Sequence, residues 1–443
     1  MKRIIFTLGL SLALMGFFFI RGTVEESKSA KKPNIVIILS DDQGYADVSY
    51  HDHPEEVSTP AIDALAKSGM VFTNGYASAY VCAPTRAGLL TGRYQQRYGF
   101  YQAADSREGL PLTEILLPQL LKEKGYSTGV FGKWHIGLEH PYRPNQRGFD
   151  AFYGFLGHGA HDYFDLECDP SDAHQCIYRN HETINDQGYL TDNLAREANA
   201  FIRKNAKADQ PFFLYLPFNA VHWPLQAPEE DIAKFNTGDK ERDVLLAMLY
   251  RMDLAVGSVI NTLKETGQYE NTLVFYFSDN GGAAKNKSNN MPLRDYKQST
   301  YEGGLRVPFI VSWPDRIKAG TSTDEPVISL DIMPTICATL GIDLPSDRVY
   351  DGKDMTSLLK GKKLKNPLHD QLFWDGDQGQ WAVREGDWKL VYDKKRQLGL
   401  FNLKEDIGEA NNRASEHPEL TKKLEQRYKT WRGEMGEPMG RRN

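Results

Sequence analysis

Five runs of apolar, β-branched and aromatic residues recur along the chain: Ile35 to Leu39, Thr128 to Phe131, Phe212 to Leu216, Leu273 to Phe277 and Pro308 to Ser312. Each is short and lacks a polar face. That is the texture of a strand buried on both sides, and both sides must then be covered by helices. Pro60 to Lys67, Thr113 to Lys124, Thr191 to Lys204 and Glu241 to Lys264 carry helical periodicity between them, several with Gly or Pro at their ends. Strand and helix in alternation specify an α/β unit, a large and mostly parallel sheet sandwiched by helices. Ligands of such folds gather beyond the carboxyl ends of the strands, which makes the residues just past each run the functional candidates.

After about Gly361 the texture changes. Gln371 to Asp375, Trp381 to Arg384, Trp388 to Tyr392 and Gly399 to Leu403 read as short strands joined by turns such as Glu385-Gly386-Asp387, and His417 to Trp431 as a closing helix. A smaller antiparallel sheet with one helix is therefore expected to pack on the main unit. The expected organisation is an export signal over residues 1–30, the main unit over 31–360 and the smaller one over 361–443. Lys2 and Arg3 precede an apolar stretch from Ile4 to Ile20, and the charged stretch Arg21 to Lys32 closes it. That stretch exceeds the usual apolar core of about 7–15 residues and no clear small-x-small cleavage site follows, so an uncleaved anchor is the alternative. No later stretch is apolar enough for long enough to span a bilayer.

The chain has 443 residues, 40% of them hydrophobic, enough for a large core. A net charge of −6 with no long basic run excludes bulk attraction to nucleic acid. Export permits disulfides, and there are four cysteines. Cys168 and Cys176 lie close together in the polar, loop-like stretch Asp165 to Arg179 and are expected to pair. Cys337 falls in the apolar helical pattern Leu330 to Leu340 and reads as a buried inert thiol. Cys82 stands apart.

Polar groups recur just past the proposed strands: Asp41 and Asp42 after the first, Lys133 and His135 after the second, His222 after the third, Asp279 and Asn280 after the fourth. In isolation each Asp reads as a helix cap or turn residue. Paired acids at two corresponding strand ends are another matter, because one edge of the sheet would collect them. Three carboxylates and an amide are hard oxygen donors, and without a His/Cys cluster they suit Ca²⁺ or Mg²⁺ better than zinc.

Cys82-Ala83-Pro84-Thr85-Arg86, followed by Leu89-Leu90-Thr91-Gly92-Arg93, resembles the signature of the type I sulfatases, in which the cysteine of C-x-P-x-R is oxidised to formylglycine. Asp41-Asp42-Gln43-Gly44, Gly132-Lys133-Trp134-His135, His222-Trp223-Pro224, Ser278-Asp279-Asn280-Gly281 and Lys297 with Glu302-Gly303-Gly304 look like further motifs of that family, in the family's order. The similarity runs from about Pro33 to the turn Glu405-Asp406. It departs before Lys297, where Arg294-Asp295-Tyr296 stands in a place often held by glycines.

The resemblance implies an alkaline phosphatase-like fold and sulfate ester hydrolysis. It implies that Asp41, Asp42, Asp279 and Asn280 hold one Ca²⁺, with Mg²⁺ less favoured, and that formylglycine made from Cys82 by a maturation enzyme completes the shell. Arg86 would orient the formylglycine, Lys133 and Lys297 would grip sulfate oxygens, His135 would bond the formylglycine hydroxyl, and His222 would stand beside the leaving oxygen. One hydroxyl of the hydrated aldehyde would attack sulfur, with Asp279 as base, the substrate alcohol would depart with a proton from His222 or Lys297, and loss of the other hydroxyl's proton, to His135, would expel sulfate and restore the aldehyde. A substrate that is already anionic needs such a local focus of positive charge. Glu302-Gly303-Gly304 reads as a backbone turn beneath the site.

His158 and His161, within Gly157 to Tyr163, and the basic Arg143 and Arg147 lie where the family builds its substrate pocket, with His51 and His53 as further rim candidates. Basic and aromatic groups suit a sulfated polysaccharide or oligosaccharide, met in a secreted or periplasmic setting. Two other readings stay open: a phosphonate or phosphate ester hydrolase of the same superfamily, and a non-catalytic sulfoglycan-binding relative.

Overall fold

A computed structural model describes residues 31–51, 55–157, 160–172, 175–376 and 379–439. The export signal expected over 1–30, and His53 and His158, lie outside the described residues.

Ten strands form the main sheet, in the spatial order Thr321–Thr323, Met70–Phe72, Phe309–Ser312, Thr272–Ser278, Asn34–Ser40, Phe212–Pro217, Ser127–Lys133, Ala151–Phe155, Ile177–Arg179 and Glu182–Ile184. The five from Thr272–Ser278 to Ala151–Phe155 are mutually parallel, so their carboxyl ends share one edge. Phe309–Ser312 runs antiparallel to its neighbours, and Ile177–Arg179, inside the stretch expected to be a loop, adds to the opposite border. Cys168 and Cys176 in that stretch are joined in a disulfide.

The central strand shows why both faces are covered. Ile35, Ile37 and Leu39 point into one core with Ala83, Ala87, Leu89 and Leu90, while Val36 and Ile38 point into the other with residues of the helices Leu190–Ala208 and Lys240–Glu265. All five are fully buried, each contributing roughly 1.5–3 kcal/mol by leaving water. The helix Lys240–Glu265 starts where the Asp239 carboxylate accepts from the Glu241 and Arg242 amides. The helix Ile332–Leu340 buries Cys337, whose thiol burial pushes up to about 12.

The helix Cys82–Thr91 departs from amphipathic design: all ten of its residues are buried. Its last turn ends on Gly92, which takes the left-handed φ of 66° that glycine adopts without steric cost. A helix enclosed on every side holds its first residue in a fixed place.

Within the compact unit Pro33–Asn443, the C-terminal strands Leu372–Gly376, Gln380–Glu385, Trp388–Tyr392 and Leu398–Asn402 form the expected antiparallel meander. One face packs Val383, Leu390 and Leu400 against Leu424 of the helix Pro418–Arg432. The other packs Trp374, Ala382 and Phe401 against Tyr76, Tyr301 and Leu305. Between the sheets lies a buried ionic knot: Lys389 Nζ stands 2.8 Å from Glu302 and 3.0 Å from Glu409, and Glu302 also accepts from the Tyr76 hydroxyl at 2.7 Å. Burial raises both carboxyls in principle. The charges of Lys389 and then Arg306 hold Glu302 down to about 2, while Glu409 stays raised.

Lys389→Met leaves that pair of buried acids without its shared cation. It should destabilise the protein by about 3–5 kcal/mol, seen as a lower urea midpoint at unchanged slope. An unshifted midpoint would mean that the knot carries no such balance.

Candidate functional site

Register brings the acids together. Ser40 and Ser278 are paired across adjacent parallel strands, so Asp41 and Asp279, the next residue in each, leave the sheet side by side, with the Asp279 amide donating to the Ser40 carbonyl at 3.1 Å. Asp41, Asp42, Asp279 and Asn280 are all buried. Asp42 turns back at φ 60°, a left-handed conformation that short polar side chains tolerate better than most. The chain then continues with its carboxylate facing Asn280, whose amide donates to it at 2.8 Å.

Three cations answer the three carboxylates. Arg86, one turn after Cys82 on the same helix face, donates from Nε and Nη2 to Asp279 at 2.9 and 2.8 Å, lies 3.4 Å from Asp41, and donates from Nη1 to the Lys133 carbonyl at 2.8 Å. Lys133, at the end of its strand, reaches Asp41 at 2.5 Å. Lys297 reaches Asp42 at 2.6 Å from the far loop. In the stretch where glycines would sit, Asp295 carries a left-handed φ of 70°, and just past Lys297 Gln298 carries one of 68°. The loop rests on Gly303, where a Cβ would fall 2.1 Å from the Asp295 carbonyl oxygen. The turn expected at Glu302-Gly303-Gly304 is a short helix, Glu302–Leu305, beneath this loop.

Electrostatics follow from that arrangement. Burial pushes the Asp41 carboxyl up, but Lys133, with His222, Arg86 and Lys297, outweighs it and leaves the group below the ordinary carboxylate range. Asp279 is raised, first by burial and then by the charge of Asp41. Burial acts against the Lys297 ammonium, and Asp42 overrides it, holding the charge on. Cys82 Sγ lies within 4.8 Å of carboxylate oxygens of Asp41 and Asp279, and burial pushes its thiol up. A raised thiol is a poor nucleophile as it stands. His222 Nε2 is 3.6 Å from Asp42, and its Nδ1 donates to the Trp223 carbonyl at 2.6 Å, which leaves Nε2 as the nitrogen facing the acids. Burial draws its pKa down. His135 is fully buried two residues past Lys133, at φ 60°.

The family described as Sulfatase matches residues 33–342. The chain belongs to the sulfatase family. A second family, the C-terminal region of N-sulphoglucosamine sulphohydrolase, matches residues 295–434. Bovine arylsulfatase A is 36% identical over 397 residues, 82% of this chain and 75% of the relative. Rat N-acetylgalactosamine-6-sulfatase is 32% identical over 425 residues, 88% of this chain and 78% of the relative. The solved structure of Ps i-CgsB in complex with k-i-k-neocarrahexaose is 36% identical, with a TM-score of 0.87 over 92% of this chain and 94% of that one. The phosphonate monoester hydrolase of Agrobacterium radiobacter, at 20% identity and a TM-score of 0.68, shares the fold. The architecture is alkaline phosphatase-like and the protein, as a sulfatase, is a sulfuric ester hydrolase.

A sulfatase of this family needs a hard cation, and the donors present fit one. Asp41 Oδ1 and Asn280 Oδ1 are buried oxygens with no hydrogen-bond donor, which would be costly unless something else met them. With carboxylates from Asp42 and Asp279 they make an oxygen set of the kind Ca²⁺ takes.

The residues expected to line the substrate pocket have other partners. Arg147 is buried and donates to the carbonyls of Leu110 at 2.7 Å and Glu114 at 2.9 Å, so it staples a loop. His161 is buried with its ring nitrogens 2.6 Å from the carbonyls of Asp162 and Gln175. Arg143 is half-buried, donates to the Leu138 carbonyl at 2.9 Å and lies over the Tyr178 ring. His51 stacks on Tyr45. Each satisfies backbone or ring neighbours, a use that charge and position in the sequence do not reveal. Conversely, Asn286 donates to Asp42 at 3.3 Å and to the Val221 carbonyl at 3.0 Å, and Tyr163 donates to the carbonyls of Asn219 and His222. They hold the Asp42 and His222 turns; only their neighbourhood in space marks them.

Asp41→Asn and Asp279→Asn should each weaken calcium retention by roughly tenfold or more. Elemental analysis of dialysed protein reads this, and undiminished calcium in both would remove these carboxylates from the ligand set.

Proposed function

We propose that this sulfatase removes sulfate from a sulfated polysaccharide or its oligosaccharides in a secreted or periplasmic setting, with formylglycine made from Cys82 by a maturation enzyme and with a bound Ca²⁺. The observation that carries the proposal is the placing of Cys82: first residue of a wholly buried helix, against Asp41 and Asp279, with Arg86 one turn behind it. The export-type N-terminus and the relatives seen with or named for sulfated sugars support the glycan and the compartment.

Charge bookkeeping supports the cation. Asp41, Asp42 and Asp279 are matched by Arg86, Lys133 and Lys297, which leaves the cluster neutral, and an anionic ester gains nothing from a neutral site. When bound, a divalent ion makes the cluster net positive, and the hydrated aldehyde at position 82 offers a hydroxyl to sulfur. The chain's own residues do the rest. Lys133 and Lys297 bind sulfate oxygens as point charges. Arg86, buried and fixed by Asp279, orients position 82. Asp279, with its raised carboxyl, takes the proton of the attacking hydroxyl. His222 in its imidazolium form, favoured by Asp42 facing Nε2 and with Nδ1–H locked on the Trp223 carbonyl, gives its Nε2 proton to the departing alcohol oxygen, and His135 accepts the proton released when sulfate leaves.

Defined sulfated oligosaccharides should release sulfate, and the peptide bearing residue 82 should show the mass of formylglycine. Cys82→Ala should abolish turnover; retained hydrolysis in that variant would overturn the mechanism. His222→Ala should slow sugar sulfates by ~100-fold or more while slowing activated aryl sulfates far less, because a poor leaving group needs the proton. Equal losses on both would deny His222 the acid role.

A further inference from the structure

Beside His222 the surface opens into a cavity of about 460 Å³, whose walls include Trp223, Gln226, Lys240, Glu241 and Lys285. That volume falls in the range, about 300–1,000 Å³, of sites that hold small ligands. We propose that this cavity is a second sugar subsite, which takes the unit next to the one being desulfated and reads a sulfate carried by that neighbour. The inference rests on the glycan substrate proposed above and extends it from the reacting sulfate to the adjoining residue of the chain.

Three observations carry it. Trp223 is 42% exposed, although indole is costly to leave in water and the chain keeps large rings such as Trp134 and Trp374 fully buried. A pyranose presents a face of C–H groups that packs on an aromatic ring, so an exposed indole beside a sugar-processing site has a use. Second, Lys285 Nζ sits 3.7 Å from the centre of that ring, which fixes both the ring and a positive charge at the same wall. Third, the charges in the cavity are unbalanced. Among the described residues, neither Lys240 nor Lys285 pairs with a carboxylate. The acid on the wall, Glu241, shares Lys287 at 3.4 Å with Asp239, which meets the same ammonium at 3.1 Å. With Asp239 and Glu241 set against Lys240, Lys285 and Lys287, the wall keeps a positive excess in a protein of net charge −6, and the two lysines without a carboxylate partner are where an anion would be met.

Both walls are tethered to the reacting centre. The Trp223 carbonyl holds His222 Nδ1 at 2.6 Å, so the indole belongs to the residue that positions the acid. Lys285 precedes Asn286, which donates to Asp42 at 3.3 Å and to the Val221 carbonyl at 3.0 Å. A sugar unit in the cavity is therefore held at a set distance from the leaving oxygen, and its binding energy serves to orient the ester. The lysines read a charge without demanding the angular fit of a guanidinium, which suits a sulfate on a flexible exocyclic oxygen.

The test compares two substrates in one protein. Multiply sulfated hexasaccharides of carrageenan, chondroitin and heparin type are screened for sulfate release, and those hydrolysed are then compared with 4-nitrophenyl sulfate, which carries no neighbouring sugar unit. Trp223→Ala and Lys285→Ala should each lower the ratio of kcat/KM on the hexasaccharide to kcat/KM on the aryl sulfate by tenfold or more, with the loss mainly in KM. Lys285→Arg should restore much of the ratio, and added salt should erode it in the parent and not in Lys285→Ala. A hexasaccharide that is hydrolysed with the same ratio in both alanine variants overturns the subsite and leaves the glycan reading standing. No release from any hexasaccharide, with the aryl sulfate still cleaved, overturns the glycan reading and the subsite with it. Thermal unfolding of the variants, expected within a few degrees of the parent, separates a lost contact from a damaged fold.

Discussion

Three carboxylates buried within reach of one another repel strongly in a medium where charge is poorly screened, and that repulsion is the constraint around which the catalytic edge is built. The parallel pairing of Ser40 with Ser278 makes the crowding unavoidable, because it delivers Asp41 and Asp279 to one place. The responses come from three distant segments: Arg86 from the buried helix, Lys133 from the neighbouring strand end and Lys297 from a loop far along the chain. Truncating any of these cations would strand an acid, so the same contacts that ready the site for an anion also hold the edge of the sheet closed.

Much of this was legible before any coordinates. The apolar runs located four of the five central parallel strands, and the antiparallel Phe309–Ser312, to within a residue or two, missing Ala151–Phe155; the polar residues after them, from Asp41 to Asn280, gather as the strand-end rule requires. Periodicity failed where burial is complete: Cys82–Thr91 has no polar face, so nothing in its pattern announces a helix. Strand direction was hidden as well, since Phe309–Ser312 is as apolar as its parallel neighbours and runs the other way. The residues read as a substrate pocket show a further ambiguity. Arg147 and His161 have the chemistry to meet a sulfated sugar, but long polar side chains also satisfy loop carbonyls, and only the hydrogen bonds tell the two uses apart. Trp223 and Lys285 were recognisable only once they faced each other.

The C-terminal sheet is tied to the site by more than contact. Glu302 begins the short helix whose glycines support the Lys297 loop, and its charge is met by Lys389 from the small sheet. The Glu302 amide in turn donates to Glu409 at 2.7 Å. Disturbance in the small sheet thus has a direct mechanical route to a side chain on Asp42, through packed backbone and one shared ammonium group.

Chains are made from the N-terminus, and that order matters here. Residue 82 leaves the ribosome some 300 residues before Lys389 does. At roughly 5–20 residues per second the interval is on the order of tens of seconds. Throughout it the knot that props the Lys297 loop lacks its cation, and the helix bearing Cys82 lacks part of its cover. Cys82 ends up 3% exposed, so the conversion to formylglycine proposed above would have to reach its sulfur before the last strands dock.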